Sequence, residues 1–140
     1  MERPFARPAR PSRWLAPALL ALGCAGCAAA WILVGVATGS QCSWMAIVAG
    51  LDAALLLRLG AMPRGPARAT VAALATAATI VLANWGIAAA QLGRSIGVLP
   101  WISATKLGPD YAWTVLSLAN TPADLAWLAA GLVAAALLAR

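Results

Sequence analysis

Residues 69–93 read ATVAALATAATIVLANWGIAAAQLG, 25 residues without a charge. Coiled as an α-helix at about 1.5 Å per residue, the stretch is longer than the roughly 30 Å hydrocarbon core of a bilayer. This one segment places the chain in a membrane, and the flanking sequence divides accordingly. Upstream, residues 63–68 (PRGPAR) hold two prolines and two arginines and read as a turn. Before the turn runs a second apolar segment, from Trp44 to about Met62, with Asp52 near its middle and Arg58 toward its far end. A short uncharged loop, TGSQCS at 38–43, separates it from a first apolar run that begins at Trp14 and reaches about Gly39. Only Pro17 interrupts that run, and proline is tolerated in a first helical turn.

Downstream, residues 94–121 mix Arg94, Lys106 and Asp110 with Trp101, Tyr111 and Trp113. A structureless loop of that length would be unusual. Lys106-Leu107-Gly108-Pro109-Asp110 marks a break, and Pro109 suits the first position of a short helix reaching about Ala119. The last helix opens at Thr121-Pro122-Ala123-Asp124. Thr stands at the N-cap, Pro at the first helical position, and Asp where a capping box places its acid.

The expected fold is an all-α integral membrane protein. Four transmembrane helices fall at about 15–37, 44–62, 69–92 and 122–138, with short interfacial helices in an outer loop at 94–121. Residues 1–13 form a basic cytoplasmic tail, and 14–140 form a single four-helix membrane domain. Composition agrees. Apolar residues make up 63% and charged residues 10%, against about 45–50% and 25% in soluble domains. Arginine outnumbers lysine nine to one and alanine supplies 37 residues, a bias that fits a GC-rich bacterial genome and hence a bacterial inner membrane.

The basic tail followed by WLAPALLAL has the form of a signal peptide. ALGC, ending at Cys24, resembles a lipoprotein cleavage box, but Ala21 stands where a larger aliphatic is usual. The apolar run also continues past Cys24 to about Gly39. A permanent helix is therefore expected.

Arginine distribution sets the expected orientation. With four spans, Arg3, Arg7, Arg10, Arg13, Arg58, Arg64, Arg68 and Arg140 share one side, and Arg94 and Lys106 the other. The positive-inside rule then gives N-in/C-in. Tryptophan is skewed the opposite way. Trp31, Trp44, Trp85, Trp101, Trp113 and Trp127 all map to the outer half. From this an outer aromatic cap is expected, formed by Trp44, Trp85, Trp101, Tyr111, Trp113 and Trp127. It would anchor in headgroups or present a lipid or partner surface.

There is no histidine, and Glu2 is the only glutamate. Histidine-based acid–base catalysis, Ser-His-Asp and Cys-His triads, HExxH zinc sites and histidine-ligated haem are excluded at once. No glycine-rich phosphate loop follows a strand, and no basic face interleaved with aromatics suggests nucleic acid. No cofactor or metal is expected.

Asp52 is the most informative side chain, because an ionisable group inside a span is costly and faces protein. Equal depth along antiparallel helices brings Cys24, Thr79 and Gly131 to its layer, with Asn84 within about two turns. Asp52, Thr79, Asn84 and Cys24 thus form a candidate intramembrane polar site. It serves either as a register-fixing clip or as a proton or cation site. Asp124 lies about 9 Å away in depth, which excludes an aspartyl hydrolase pair. Cys24 and Cys27 form a CxxC, but mid-bilayer offers neither solvent nor positive charge to a thiolate. With Gly23, Gly26 and Ala30 they read as small-residue packing, as do Ala73/Ala77 and Ala130/Ala134.

In size and span count alone the chain resembles the small multidrug-resistance transporters. It lacks the glutamate that family carries in its first helix, and its charge bias is strong, so it is not assigned to them. The expected function is a non-enzymatic accessory or interaction subunit of a membrane assembly. One alternative is a small proton- or cation-coupled transporter or channel using Asp52. Another is a membrane enzyme using Lys106, Asp110 and Tyr111 at the outer interface. Expected partners are the lipid bilayer and either a membrane protein or a second copy.

Overall fold

The computed structural model describes residues 14–140; the basic tail expected at 1–13 lies outside the described residues. Six helices follow one another: α1 (Leu15–Thr38), α2 (Met45–Leu59), α3 (Pro66–Ile96), α4 (Pro100–Lys106), α5 (Pro109–Ala119) and α6 (Pro122–Ala139). Among the described residues there is no strand. Three helices, α1, α3 and α6, are long and apolar enough to cross a membrane.

The four helices α3 to α6 each begin on proline. Its fixed φ suits the first turn, and its missing N–H is one that a helix start leaves unpaired anyway. The ends are equally local. Gly39 and Gly97 close α1 and α3 in the left-handed conformation, at φ 67° and 69°, where a Cβ is penalised.

α2 departs from expectation. The apolar run from 44 to 62 yields a helix of only 15 residues, roughly 22 Å at 1.5 Å per residue. Gly60 donates to the Leu56 carbonyl and Met62 to that of Leu57, with Ala61 between them at φ 55°. This closure spends Ala61 and Met62 on a turn. Met62 then packs back onto the core between α2, α3 and α6, so the residues stay apolar without being helical.

α1, α2, α3 and α6 pack side by side. Each of α1 and α3 touches α2, α3 contacts α6, and α2 lies closest along α6. Side-chain partners give the directions. Gly23 of α1 faces Leu56, and Ala16 faces Gly60, so α1 runs against α2. Ile32 reaches Gly86 and Gly35 reaches Ile87, so α1 and α3 run together. Gly50 and Gly131 pair α2 with α6 in the same sense. A Cβ on Gly131 would meet the Ala46 carbonyl oxygen at 2.5 Å, and one on Gly50 would meet the Gly131 oxygen at 2.5 Å. The two backbones are in contact, which only glycine permits. The expected small-residue pairs contribute less. Gly26, Ala30 and Ala130 are exposed on the outside of the packed helices.

Trp31 is the centre of the core. It is fully buried among Met45, Ala46, Ala49, Ile80, Ala83 and Ile87. Its indole Nε1 donates to the Gln41 carbonyl at 2.8 Å. It faces inward, and its indole serves a loop residue whose carbonyl needs a donor.

Arg68 closes the opposite end. It is buried, and its guanidinium donates to the backbone oxygens of Ala139, Met62 at 3.2 Å and Arg140 at 2.9 Å. The last carbonyls of a helix have no intrahelical donor and carry partial negative charge, and a guanidinium answers both needs.

Candidate functional site

The four residues of the expected intramembrane polar site divide into separate groups. Cys24 of α1 and Thr79 of α3 converge on one acceptor, the Ala75 carbonyl, at 3.9 and 2.9 Å. Thr79 is buried and its bond is intrahelical. Asp52, half-buried on α2, faces α1, where its Oδ2 lies 3.3 Å from the position a Cβ on Gly23 would take. Asp52 has no hydrogen bond or ion pair among the described residues. Gly131 lies about one turn away from this layer, opposite Ala46 and Gly50.

Asn84 belongs to a different device. Its Nδ2 donates to the Ile80 carbonyl at 2.9 Å, and its Oδ1 accepts from Gln41 Nε2 at 2.9 Å. With Trp31 bonded to the Gln41 backbone, the 39–44 loop is drawn down into the helices at two points. Sequence reasoning misses Gln41, because a glutamine in a polar loop carries no signal of burial. The tryptophan ten residues earlier is the available clue.

The expected aromatic cap is placed at the end opposite Arg68. Trp44, Trp101, Tyr111, Trp113 and Trp127 are exposed, and Trp85 is half-buried against Ala88, Leu107 and Ala112. α4 lies along α3, whereas the backbone of α5 approaches that of α3 alone. Between α3, α5 and α6 a groove of about 340 Å³ remains open. Its walls include Val81, Trp85, Trp113, Leu116 and Leu128, and it holds Asn120, whose buried Oδ1 has no hydrogen-bond partner.

Beside the groove, at the same end, lies a polar cleft of about 540 Å³. The 39–44 loop forms one wall, and Gln91, Ala119, Asp124 and Trp127 complete it. The Gln41–Asn84 hydrogen bond stands between the two spaces, since Gln41 lines the cleft and Asn84 the groove. Asp124 is fixed by a reciprocal cap. Its Oδ2 accepts from Thr121 N at 2.9 Å, and its own N–H donates to Thr121 Oγ1 at 3.3 Å. In the loop, Cys42 adopts φ 47° and its Sγ sits 3.2 Å from both Thr38 Oγ1 and Ser40 Oγ.

Lys106, Asp110 and Tyr111 are exposed around the α4–α5 turn, with no side-chain hydrogen bond or ion pair joining them. Among the described residues no three His, Cys, Asp or Glu side chains gather as metal ligands. No known protein family describes this chain, and neither characterised proteins nor solved structures show significant similarity to it.

Proposed function

We propose that the chain is a non-enzymatic, four-span protein of a bacterial inner membrane, N-in/C-in, acting as an accessory subunit that holds a helix of a partner membrane protein in the α3–α5–α6 groove. The observation that carries this reading is the unpaired Asn120 Oδ1 beside a groove whose walls, Asn84 apart, are mostly apolar. A buried acceptor left without a donor costs free energy, and lipid tails have no donor to offer. A partner helix bearing one serine, threonine or amide would supply both the apolar surface and the missing hydrogen bond, as polar side chains do between membrane helices.

The position of α5 supports the same reading. Because its backbone leans on α3 alone, the space beside α6 is left for another element. The fourth span in this topology is α2, which the Gly50–Gly131 contact binds to α6, with Trp44 at its N-cap and Arg58 in its last turn. In the transporter reading, Asp52 would need a chain of polar groups toward one end; none hydrogen-bonds to it.

The test is isolation of the tagged protein in mild detergent, wild type against Val81→Trp. Val81 lines the groove yet is 60% exposed, so an indole there fills the groove without disturbing the core. A membrane-protein partner retained stoichiometrically by the wild type and lost in Val81→Trp is the expected result. A wild type that isolates without a partner, or one whose partner survives the substitution, contradicts the reading.

A further inference from the structure

We propose that the polar cleft at the α1–α2 loop is a binding site for an organic ammonium group. Four features of the cleft bear on its ligand. It carries a carboxylate, Asp124, and no basic side chain lines it. No ion pair neutralises Asp124 among the described residues. Two indoles, Trp44 and Trp127, border the space and are each about half exposed, at 49% and 47%. The remaining lining is polar and uncharged, with Ser40, Gln41, Ser43 and Gln91.

The unpaired carboxylate, the lack of a basic side chain and the indoles select against an anion and for a cation. The α6 N-terminus contributes about half a positive charge, so the carboxylate is offset only in part. Asp124 Oδ2 accepts from both the backbone N and the Oγ1 of Thr121, and Ser43 hydrogen-bonds the carboxylate from the loop side, so its partners are neutral and its charge stays unpaired. Indole faces attract alkylated ammonium ions more strongly than strongly hydrated metal ions, which keep their water. A cleft of about 540 Å³ is far larger than a dehydrated metal ion and accommodates a headgroup-sized molecule. The ammonium could arrive on a phosphatidylethanolamine headgroup or on a free amine; the recognition chemistry is shared.

The experiment uses the full chain in nanodiscs of phosphatidylglycerol, which carry no ammonium lipid. Tetramethylammonium and ethanolamine are titrated separately, with binding followed by tryptophan fluorescence and calorimetry. Saturable binding is expected, weakened roughly tenfold or more by Asp124→Asn, as for loss of a charge-assisted contact. Asparagine keeps a capping oxygen, and circular dichroism verifies the fold. Should Asp124→Asn fail to fold, Trp44→Leu replaces it, since Trp44 is exposed, and the same weakening of tetramethylammonium binding is expected. Phosphatidylethanolamine added to the discs identifies the source: competition assigns a lipid headgroup, and unaltered affinity assigns a free amine. Absence of saturable binding by both probes overturns the proposal. So does equal affinity in the wild type and the folded variant.

Discussion

At the scale of single residues, the polar side chains are used mostly for holding backbone. Arg68 ties the end of α6 to the turn before α3, Trp31 and Asn84 pull Gln41 inward, and Thr121 and Asp124 start α6. The Gln41–Asn84 pair gives a direct prediction. Asn84→Leu removes the only acceptor of Gln41 Nε2 among the described residues, so stability should fall by about 0.5–1.5 kcal/mol. Unfolding in graded denaturing detergent measures it. An unchanged midpoint would show that Gln41 finds another partner.

Some of this is legible in the chain. Thr121-Pro122-Ala123-Asp124 specifies its own capping box, because caps depend on residues three apart. The arrangement around Asp52 is not. Counting residues along ideal helices places Gly131 beside it, yet direct backbone contact at Gly50 sets α6 about one turn differently. That register is decided by which glycines meet, a pairwise property that a single chain does not display.

At the scale of elements, helix ends follow turn chemistry closely and helix faces do not. Prolines at 66, 100, 109 and 122 and glycines at 39 and 97 mark the boundaries. α2 runs short because apolar Ala61 and Met62 form its closing turn. With apolar residues on every side of α1 and α6, no periodicity distinguishes the face that meets protein from the face that meets lipid. Gly26 and Gly131 make that difference measurable. Gly131→Ala forces a methyl into the Ala46 carbonyl and should destabilise by about 1–3 kcal/mol, as overpacking does. A methyl on Gly26 would meet nothing within 4 Å, so Gly26→Ala should be neutral or stabilise by roughly 0.5–1 kcal/mol through helix propensity. Comparing their unfolding midpoints tests the packing, and equal effects would contradict it.

At the scale of the whole molecule, the chain has two unlike ends. Arg58, Arg64 and Arg68 gather at one; most aromatic side chains, though not Trp14, gather with the cleft and the groove at the other. The proposed topology puts the arginine end in the cytoplasm. In a chain with Cys24, Cys27 and Cys42 replaced by serine, an impermeant thiol reagent applied outside intact spheroplasts should label Lys106→Cys and spare Arg64→Cys. Labelling of Arg64→Cys alone would invert the orientation, and labelling of both would remove the four-span arrangement.

The groove makes the central claim accessible at one position. A photoreactive amino acid at Val81, irradiated in native membranes, should yield one discrete adduct with a different membrane protein. Asn120→Leu, which removes the unpaired acceptor, should diminish that adduct. The same probe at Leu33, exposed on α1 away from the groove, should give none. Adducts with lipid alone at Val81, or the same adducts at both positions, would contradict the accessory-subunit account.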